Sequence, residues 1–399
     1  MEPISRDKYV SKIIPFIKND IIKVLVGQRR VGKSYMLDLL INYIKSHYPD
    51  SIIIDINLEL NAYRHLRNAD DLYLYIKDNS DSDTYTFVFI DEIQEVHGFE
   101  EALRTLKAER HYDLYITGSN AHLLSGELAT YLSGRYVQFY VHGLSYDEFL
   151  RFHNLENSNE SLMKYIRYGG MPYLKNLNLD DEPVYGYLKS IYNTIILRDV
   201  VARHGIRNID FLEHLIKYLA DSMGSLLSAK KISDYLKSQQ VKISVKVVLE
   251  YLKYLEDAFF IHRVRRFDIQ GKKLFELNDK FFFTDIGLRN CIISYNLKDI
   301  GKIMENLVYN KLITSGYDVY VGKLGNREVD FVAEKQDVTI YLQVAYLLPD
   351  EKVYEREFGN LLDIQDNHRK IVISMDEFIG SNYKGIEHVH LRSFLASEI

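Results

Sequence analysis

Two kinds of apolar pattern run along the chain. In the first third, short continuous apolar runs alternate with stretches whose apolar residues recur at three- and four-residue steps. Residues 21–26, IIKVLV, are a run of strand type, and after them Met36, Leu37, Leu39, Leu40, Ile41 and Ile44 carry a broad helical face. The same alternation predicts strands at about 22–26, 52–57, 86–90, 113–117 and 136–141, separated by helices. Continuous apolar strands that alternate with helices imply an α/β domain of three layers around a parallel sheet.

Beyond this region the pattern changes. Residues 145–225 read as helices, broken at Gly169-Gly170 and Pro172, and Ser145-Tyr146-Asp147-Glu148 has the spacing of a capping box that opens the first of them. A short helix at 229–237 is followed by Ser244, which caps VKVVLEYLKYLED; then come FFIHRVRRFD, a turn IQGKK, and LFELNDKFFFTD. Two helices followed by a basic two-stranded hairpin are the winged-helix pattern. From Gly301 the order is helix, three strands, helix, strand. The expected division is 1–144 for the α/β domain, 145–290 for the helical and winged-helix region, and 291–399 for a C-terminal α/β domain.

Composition narrows the classes. A chain of 399 residues exceeds one ordinary core. Its net charge of −6 argues against a surface basic throughout and leaves room for local basic patches. The single cysteine, Cys291, excludes an internal disulfide framework and a cysteine-rich zinc site. The opening MEPISRDKYV lacks the basic start and apolar core of a secretory signal, and no apolar stretch approaches a membrane span, so a cytoplasmic protein is expected.

Between the first strand and the first long helix lies Gly27-Gln28-Arg29-Arg30-Val31-Gly32-Lys33-Ser34, a full match to G-x-x-x-x-G-K-[ST]. Strand, glycine loop and helix are the context a phosphate loop requires. Glycine lets phosphate approach the backbone, successive N–H groups point into one concavity, and the helix N-terminus adds positive charge. Lys33 is expected on the β- and γ-phosphates and Ser34 on Mg²⁺. Arg29 and Arg30 either are solvated or lean on the nucleotide or a partner.

A second acid is needed for the metal. TFVFIDEIQ, residues 86–94, ends an apolar strand in Asp91-Glu92. Asp91 is the expected metal residue and Glu92 the general base that polarises the attacking water. At the tip of the next strand, Ser119 or Asn120 can orient that water or can cap the helix pattern that follows. Arg135, in LSGRY, is either a cation that neutralises transition-state charge, in its own subunit or a neighbour's, or a surface arginine beside a glycine turn. Adjacent Asp and Glu point to the NTPase branch with its own catalytic glutamate, which includes the AAA-type ATPases.

GQRRVGKS, FIDEIQ, ITGSNAHLLSGELATYLSGRY, YGGMPYL and YLEDAFFIHRVRRFD…KFFFTDIGLRN follow one another in an order that resembles a set of bacterial and archaeal AAA-type P-loop ATPases. Those proteins carry a C-terminal restriction-endonuclease-like domain of unknown function. The resemblance spans nearly the whole chain and implies ATP and Mg²⁺ as cofactors, ATP hydrolysis, and a connection to DNA; adenine over guanine rests on it.

In the middle region, Arg198, Asp199, Arg203 and Arg207 read as a solvated helix face, an interdomain charge network or a nucleotide contact. Lys242, Lys246, Lys253, Arg263, Arg265, Arg266, Lys272 and Lys273 are the cations a winged helix would turn to DNA, diluted by Glu250, Glu256 and Asp257. The alternative is a winged helix used for packing or as a nucleotide lid. The C-terminal pattern resembles the restriction-endonuclease core, in which a helix acid, a strand Asp and a Glu-x-Lys pair bind Mg²⁺ and position water. Glu305 and Asp330 match the first two positions, but the last motif reads Gln343-Val344-Ala345. Losing a carboxylate and an ammonium predicts a nuclease fold without nuclease chemistry. Asp330 is otherwise a strand-end acid bonded to Arg327 or a lysine.

Three functions fit: an ATPase that drives or switches attached DNA- or protein-binding modules, an ATP-gated DNA-processing nuclease, and a non-catalytic ATP-binding scaffold or homo-oligomer component in a larger assembly.

Overall fold

The computed structural model describes residues 4–121, 132, 134–238, 243–275, 278–377 and 382–399. The helix expected over 121–132 and Lys242 therefore fall largely or wholly outside the described residues. The chain separates into two compact units, Met1–His142 with Asp257–Phe259, and Gly143–Glu256 with Phe260–Ile399.

In the first unit, β1 (Ile22–Val26), β2 (Ile52–Asn57), β3 (Thr86–Asp91), β4 (Tyr112–Gly118) and β5 (Tyr136–Tyr140) form a parallel sheet in the order β2-β3-β4-β1-β5. Side chains alternate between its faces. Val24, Val26, Val88, Ile90, Leu114 and Ile116 meet Leu72 and Ile76 of α3 (Ala69–Asp78) and Leu103 and Leu106 of α4 (Phe99–Ala108). Leu25, Phe87, Phe89, Tyr115 and Phe139 meet Met36, Leu40 and Ile44 of α2 (Lys33–His47) and Ile13 of α1 (Asp7–Ile13). Because both faces are covered, the inner strands β1, β3 and β4 read as largely apolar runs. Lys23, fully buried in β1, is ion-paired with Asp113 of β4.

The second unit opens with the helix Tyr146–His153. Its capping box forms as the spacing predicts: Glu148 N–H donates to the Ser145 hydroxyl and Ser145 N–H to the Glu148 carboxylate. Gly169 and Gly170 follow the helix Asn159–Tyr168. They pass so close to Asp285 and Gly287 that a Cβ on Gly169 would lie 2.5 Å from Asp285 Oδ1, and one on Gly287 would lie 2.0 Å from the Tyr168 carbonyl. Asp285 accepts from Gly170 N–H at 2.7 Å and caps the helix Ile286–Ile293.

The helices Ala229–Ser238 and Val245–Asp257 form as expected, but the hairpin after them does not stand free as a wing. Its base, β6 (Ile261–Val264) with β9 (Lys280–Phe283), is a separate antiparallel pair. Its outer part, β7 (Arg266–Asp268) with β8 (Lys273–Leu274), is the edge of an eight-stranded mixed sheet, because β7 pairs in parallel with β10 (Asp318–Leu324). That sheet continues through β11 (Arg327–Lys335), β12 (Val338–Val344), β13 (Arg369–Ser374), β15 (Ile386–His390) and β14 (Asn382–Tyr383). Phe358 and Leu361 of the helix Glu351–Leu362 pack on one face with Val329, Val332 and Val372. On the helix Ile300–Thr314, Tyr309 stacks with Phe282 of β9, which also meets Phe331 of β11.

Candidate nucleotide site

The sheet order assembles the site. β4 lies between β1 and β3, and since all three run in parallel, the loop after β1, the acids after β3 and the tip of β4 share one edge. Ligand sites of open parallel sheets lie beyond the carboxyl ends of their strands.

The loop Gly27–Ser34 is fixed by close approach. Val141 N–H donates to the Val26 carbonyl, and a Cβ on Gly27 would sit 2.1 Å from the Val141 carbonyl oxygen. Gly32 adopts a left-handed φ of 94° at the N-cap of α2. Val31 is buried in the core. Arg29 is buried and reaches Glu59 at 3.2 Å, whereas Arg30 is exposed at a left-handed φ of 68°. Lys33 Nζ donates to the Gly27 and Gln28 carbonyls, each at 3.2 Å, so the ammonium folds over the loop. Gln28 is 1% exposed, and its Nε2 and Oε1 have no protein hydrogen-bond partner among the described residues.

The acids meet this loop. Ser34 Oγ donates to Asp91 Oδ2 at 2.7 Å, and Lys33 Nζ lies 3.7 Å from Glu92 Oε1. Burial raises the Asp91 carboxyl above its ordinary range, partly offset by its bonds from Thr117 and Ser34. Burial also pushes the Glu92 carboxyl up, but the Lys33 ammonium, followed by Arg29, overcomes this and holds it below its ordinary range. Two neighbouring acids thus differ: Asp91 is poised between donors, and Glu92 is held as a carboxylate. Glu92 has left-handed dihedrals, φ 58° and ψ 51°, rare for a residue with a Cβ.

Thr117 is the residue that sequence reasoning misses. Its hydroxyl donates to Asp91 Oδ1 at 2.6 Å and accepts from Glu92 N–H at 2.9 Å, tying both acids to the tip of β4. The signal was a polar residue closing an apolar strand, but the choice of Thr117 over its neighbours depends on the register of β4 against β3, in which Ile116 pairs with Ile90 and Thr117 comes beside Asp91. Gln94 also escaped notice; its amide donates to the Glu92 carboxylate. Ser119 and Asn120 are both buried just beyond the end of β4.

Arg135 is not brought to this cluster. It precedes β5, and its carbonyl accepts from Ile22 N–H at the beginning of β1. A five-residue strand at ~3.3 Å per residue puts it on the order of 15 Å from the loop of its own chain.

The donor set fits a magnesium-bound triphosphate. A phosphate cradle has the ammonium of Lys33, a hydroxyl and a carboxylate stand side by side at Ser34 and Asp91, and the buried amide of Gln28 has no hydrogen-bond partner among the described residues.

This fold and site define the first unit as an ATP-binding domain of the AAA class of P-loop ATPases. The AAA domain family matches residues 19–150, and a domain of unknown function, DUF8612, matches residues 159–299. The chain belongs to the family of an uncharacterized protein of Haemophilus influenzae, to which it is 37% identical over 98% of both chains. An uncharacterized protein of Methanocaldococcus jannaschii is 33% identical over 94% of this chain and 86% of its own. Among solved structures, a Walker-type ATPase of Pyrococcus abyssi shares the fold, with a TM-score of 0.51 and 18% identity over 72% of this chain and 95% of that one. Among the described residues no helix is long and apolar enough to cross a membrane.

Proposed function

We propose that the chain binds and hydrolyses ATP with Mg²⁺, and that turnover drives or switches the modules that follow the ATPase domain, which act on DNA or on a protein. The observation that carries this reading is Glu92, a carboxylate held ionised at the tip of β3, tied through Thr117 to Asp91 and 3.7 Å from Lys33. A site that only stored nucleotide would not require it.

Magnesium, when bound, supplies charge compensation to the β- and γ-phosphates. Lys33 and the loop N–H groups hold the phosphates, and Ser34 and Asp91 hold the metal. Glu92 takes a proton from the attacking water, which Ser119 or Asn120 orients. Arg135, distant from its own loop, serves a neighbouring subunit's nucleotide if it acts in catalysis. Arg29 lowers Glu92 basicity and fixes the loop through Glu59.

Support for a DNA contact lies in the exposed cations Lys246, Lys253, Arg265, Lys272 and Lys273 on the second long helix and the β7–β8 edge. Arg263 is not free for this role, because it pairs with Asp279. In the functional organisation we propose, 1–144 is the ATPase, 145–290 a helical region whose hairpin lends its outer strands to the following sheet, and 291–399 a restriction-endonuclease-like domain. The helix, three-stranded meander, helix and parallel strand of the last part support that fold. The nuclease alternative is disfavoured by Gln343 and Ala345.

The test is single-turnover hydrolysis by Glu92→Gln, with and without duplex DNA. Retained ATP binding with turnover reduced at least about 10²-fold supports the proposal. Undiminished hydrolysis by the variant contradicts it. Stimulation of the wild type by DNA selects DNA over protein as the partner, and strand cleavage in the same reaction selects the gated nuclease.

A further inference from the structure

Far along the sequence from the nucleotide loop, the second unit gathers buried charges that ATP chemistry does not use. Lys280 opens β9 and is 2% exposed. Its Nζ lies 2.8 Å from Glu328 Oε1, 3.1 Å from Glu305 Oε2 and 3.7 Å from Asp330 Oδ1. Glu305 comes from the helix Ile300–Thr314, and Glu328 and Asp330 lie on one face of β11, two residues apart.

The carboxylates are pinned from outside. Asp330 Oδ2 accepts from Val344 N–H at 2.8 Å, and Asp330 N–H donates to Gln343 Oε1 at 3.3 Å. Gly224 covers Glu305, since a Cβ there would lie 3.1 Å from Glu305 Oε2. Burial raises both the Glu305 and the Asp330 carboxyls, and for Asp330 the nearby Glu305 charge raises it further. A cluster this acidic and this enclosed requires a cation.

We propose that Lys280 is a built-in cation standing where a divalent metal would otherwise be held, so that this carboxylate pocket is closed to metal while Lys280 is present. The spacing is that of an ammonium: nitrogen–oxygen distances of 2.8–3.7 Å exceed the ~2.0–2.6 Å that Mg²⁺ or Ca²⁺ demands. Among the described residues no group of three or more His, Cys, Asp or Glu is set to hold a metal ion. An ammonium has no open coordination position and cannot generate a metal-bound hydroxide. Lys280 therefore accounts for how Glu305 and Asp330 persist in a pocket whose Gln343 and Ala345 lack the groups for hydrolysis. The inference is independent of the nucleotide reading, because it concerns another cluster and is tested without nucleotide.

The test is Mn²⁺ binding to the full chain without nucleotide, followed by the electron paramagnetic resonance signal of free Mn²⁺. Lys280→Met is expected to bind one more Mn²⁺ than the wild type, at least about tenfold more tightly than any wild-type binding there, and to lose it when Asp330→Asn is added. Lys280→Arg, which keeps the charge, is expected to gain none. The proposal fails if wild-type protein binds a Mn²⁺ that Asp330→Asn removes, or if folded Lys280→Met gains no site. Should Lys280→Met not fold, Lys280→Met with Glu328→Gln carries less unpaired charge and serves the same comparison; the wild-type and Asp330→Asn measurements do not depend on either.

Discussion

At the scale of single residues, the site turns on a threonine that bridges two acids. Thr117 both fixes the Asp91 carboxylate and accepts the N–H of Glu92, whose backbone is left-handed. Thr117→Val keeps the shape and removes both bonds. A loss of about 1–3 kcal/mol in positioning corresponds to a fall in kcat of about 5- to 150-fold. ATP affinity should change little, and Thr117→Ser should restore kcat. A loss in Thr117→Ser as large as that in Thr117→Val would contradict this, because it would show that the hydroxyl by itself does not position the two acids. The loop and the two acids were legible in the sequence because contiguous motifs carry them. Thr117 and Gln94 were not, because their contacts are set by strand register and by a turn that folds Gln94 back on Glu92.

At the scale of elements, the inner strands of the first unit, β1, β3 and β4, were readable because each is buried on both faces and largely apolar, whereas β2 and β5 at the edges are partly exposed. Observed β1 and β2 coincide with the expected runs, and β3 and β4 extend them by a residue at one or both ends. The hairpin over 261–283 was readable as two extended segments but not as two separate sheets. Its split after Val264 depends on β10, which begins more than fifty residues later and offers β7 a parallel edge. Propensity cannot see such a partner. Charge burial was equally illegible. Asp199 looked like part of a solvated face with its arginines, yet it is buried within a π-helical segment, Ile195–Ala202, while Arg198, Arg203 and Arg207 are exposed.

Asp285 belongs to this scale, because it joins the Gly169-Gly170 turn to the helix Ile286–Ile293. Burial pushes its carboxyl up to about 6, against the opposing N–H bonds of Gly170, Leu288 and Gly287. Between 3.8, its ordinary value, and about 6, the folded protein keeps a proton that the unfolded chain has lost. Stability from this group therefore falls as pH rises through that window, by up to about 3 kcal/mol. Denaturant unfolding from pH 4 to pH 7 should show this slope in the wild type and a flatter one in Asp285→Asn. Parallel slopes would mean that the carboxyl is not held neutral.

At the scale of the whole molecule, the chain carries an AAA-type ATPase domain and a second unit in which Glu305, Glu328 and Asp330 are ion-paired with a lysine from another strand, Lys280. Glu305 and Asp330 were found from their order in the sequence; Lys280 was not, since nothing local distinguishes it from the other lysines of the hairpin. The central claim is nevertheless the first unit's pocket for a triphosphate, and equilibrium binding tests it most directly. Titration calorimetry with Mg²⁺ and a slowly hydrolysed ATP analogue should show one site per chain in the wild type, and Lys33→Ala should weaken it by at least about 10²-fold, the loss of a charge-assisted phosphate contact. Wild-type protein that releases no heat and gains no thermal stability at saturating nucleotide, or a Lys33→Ala variant that binds as the wild type does, would contradict it.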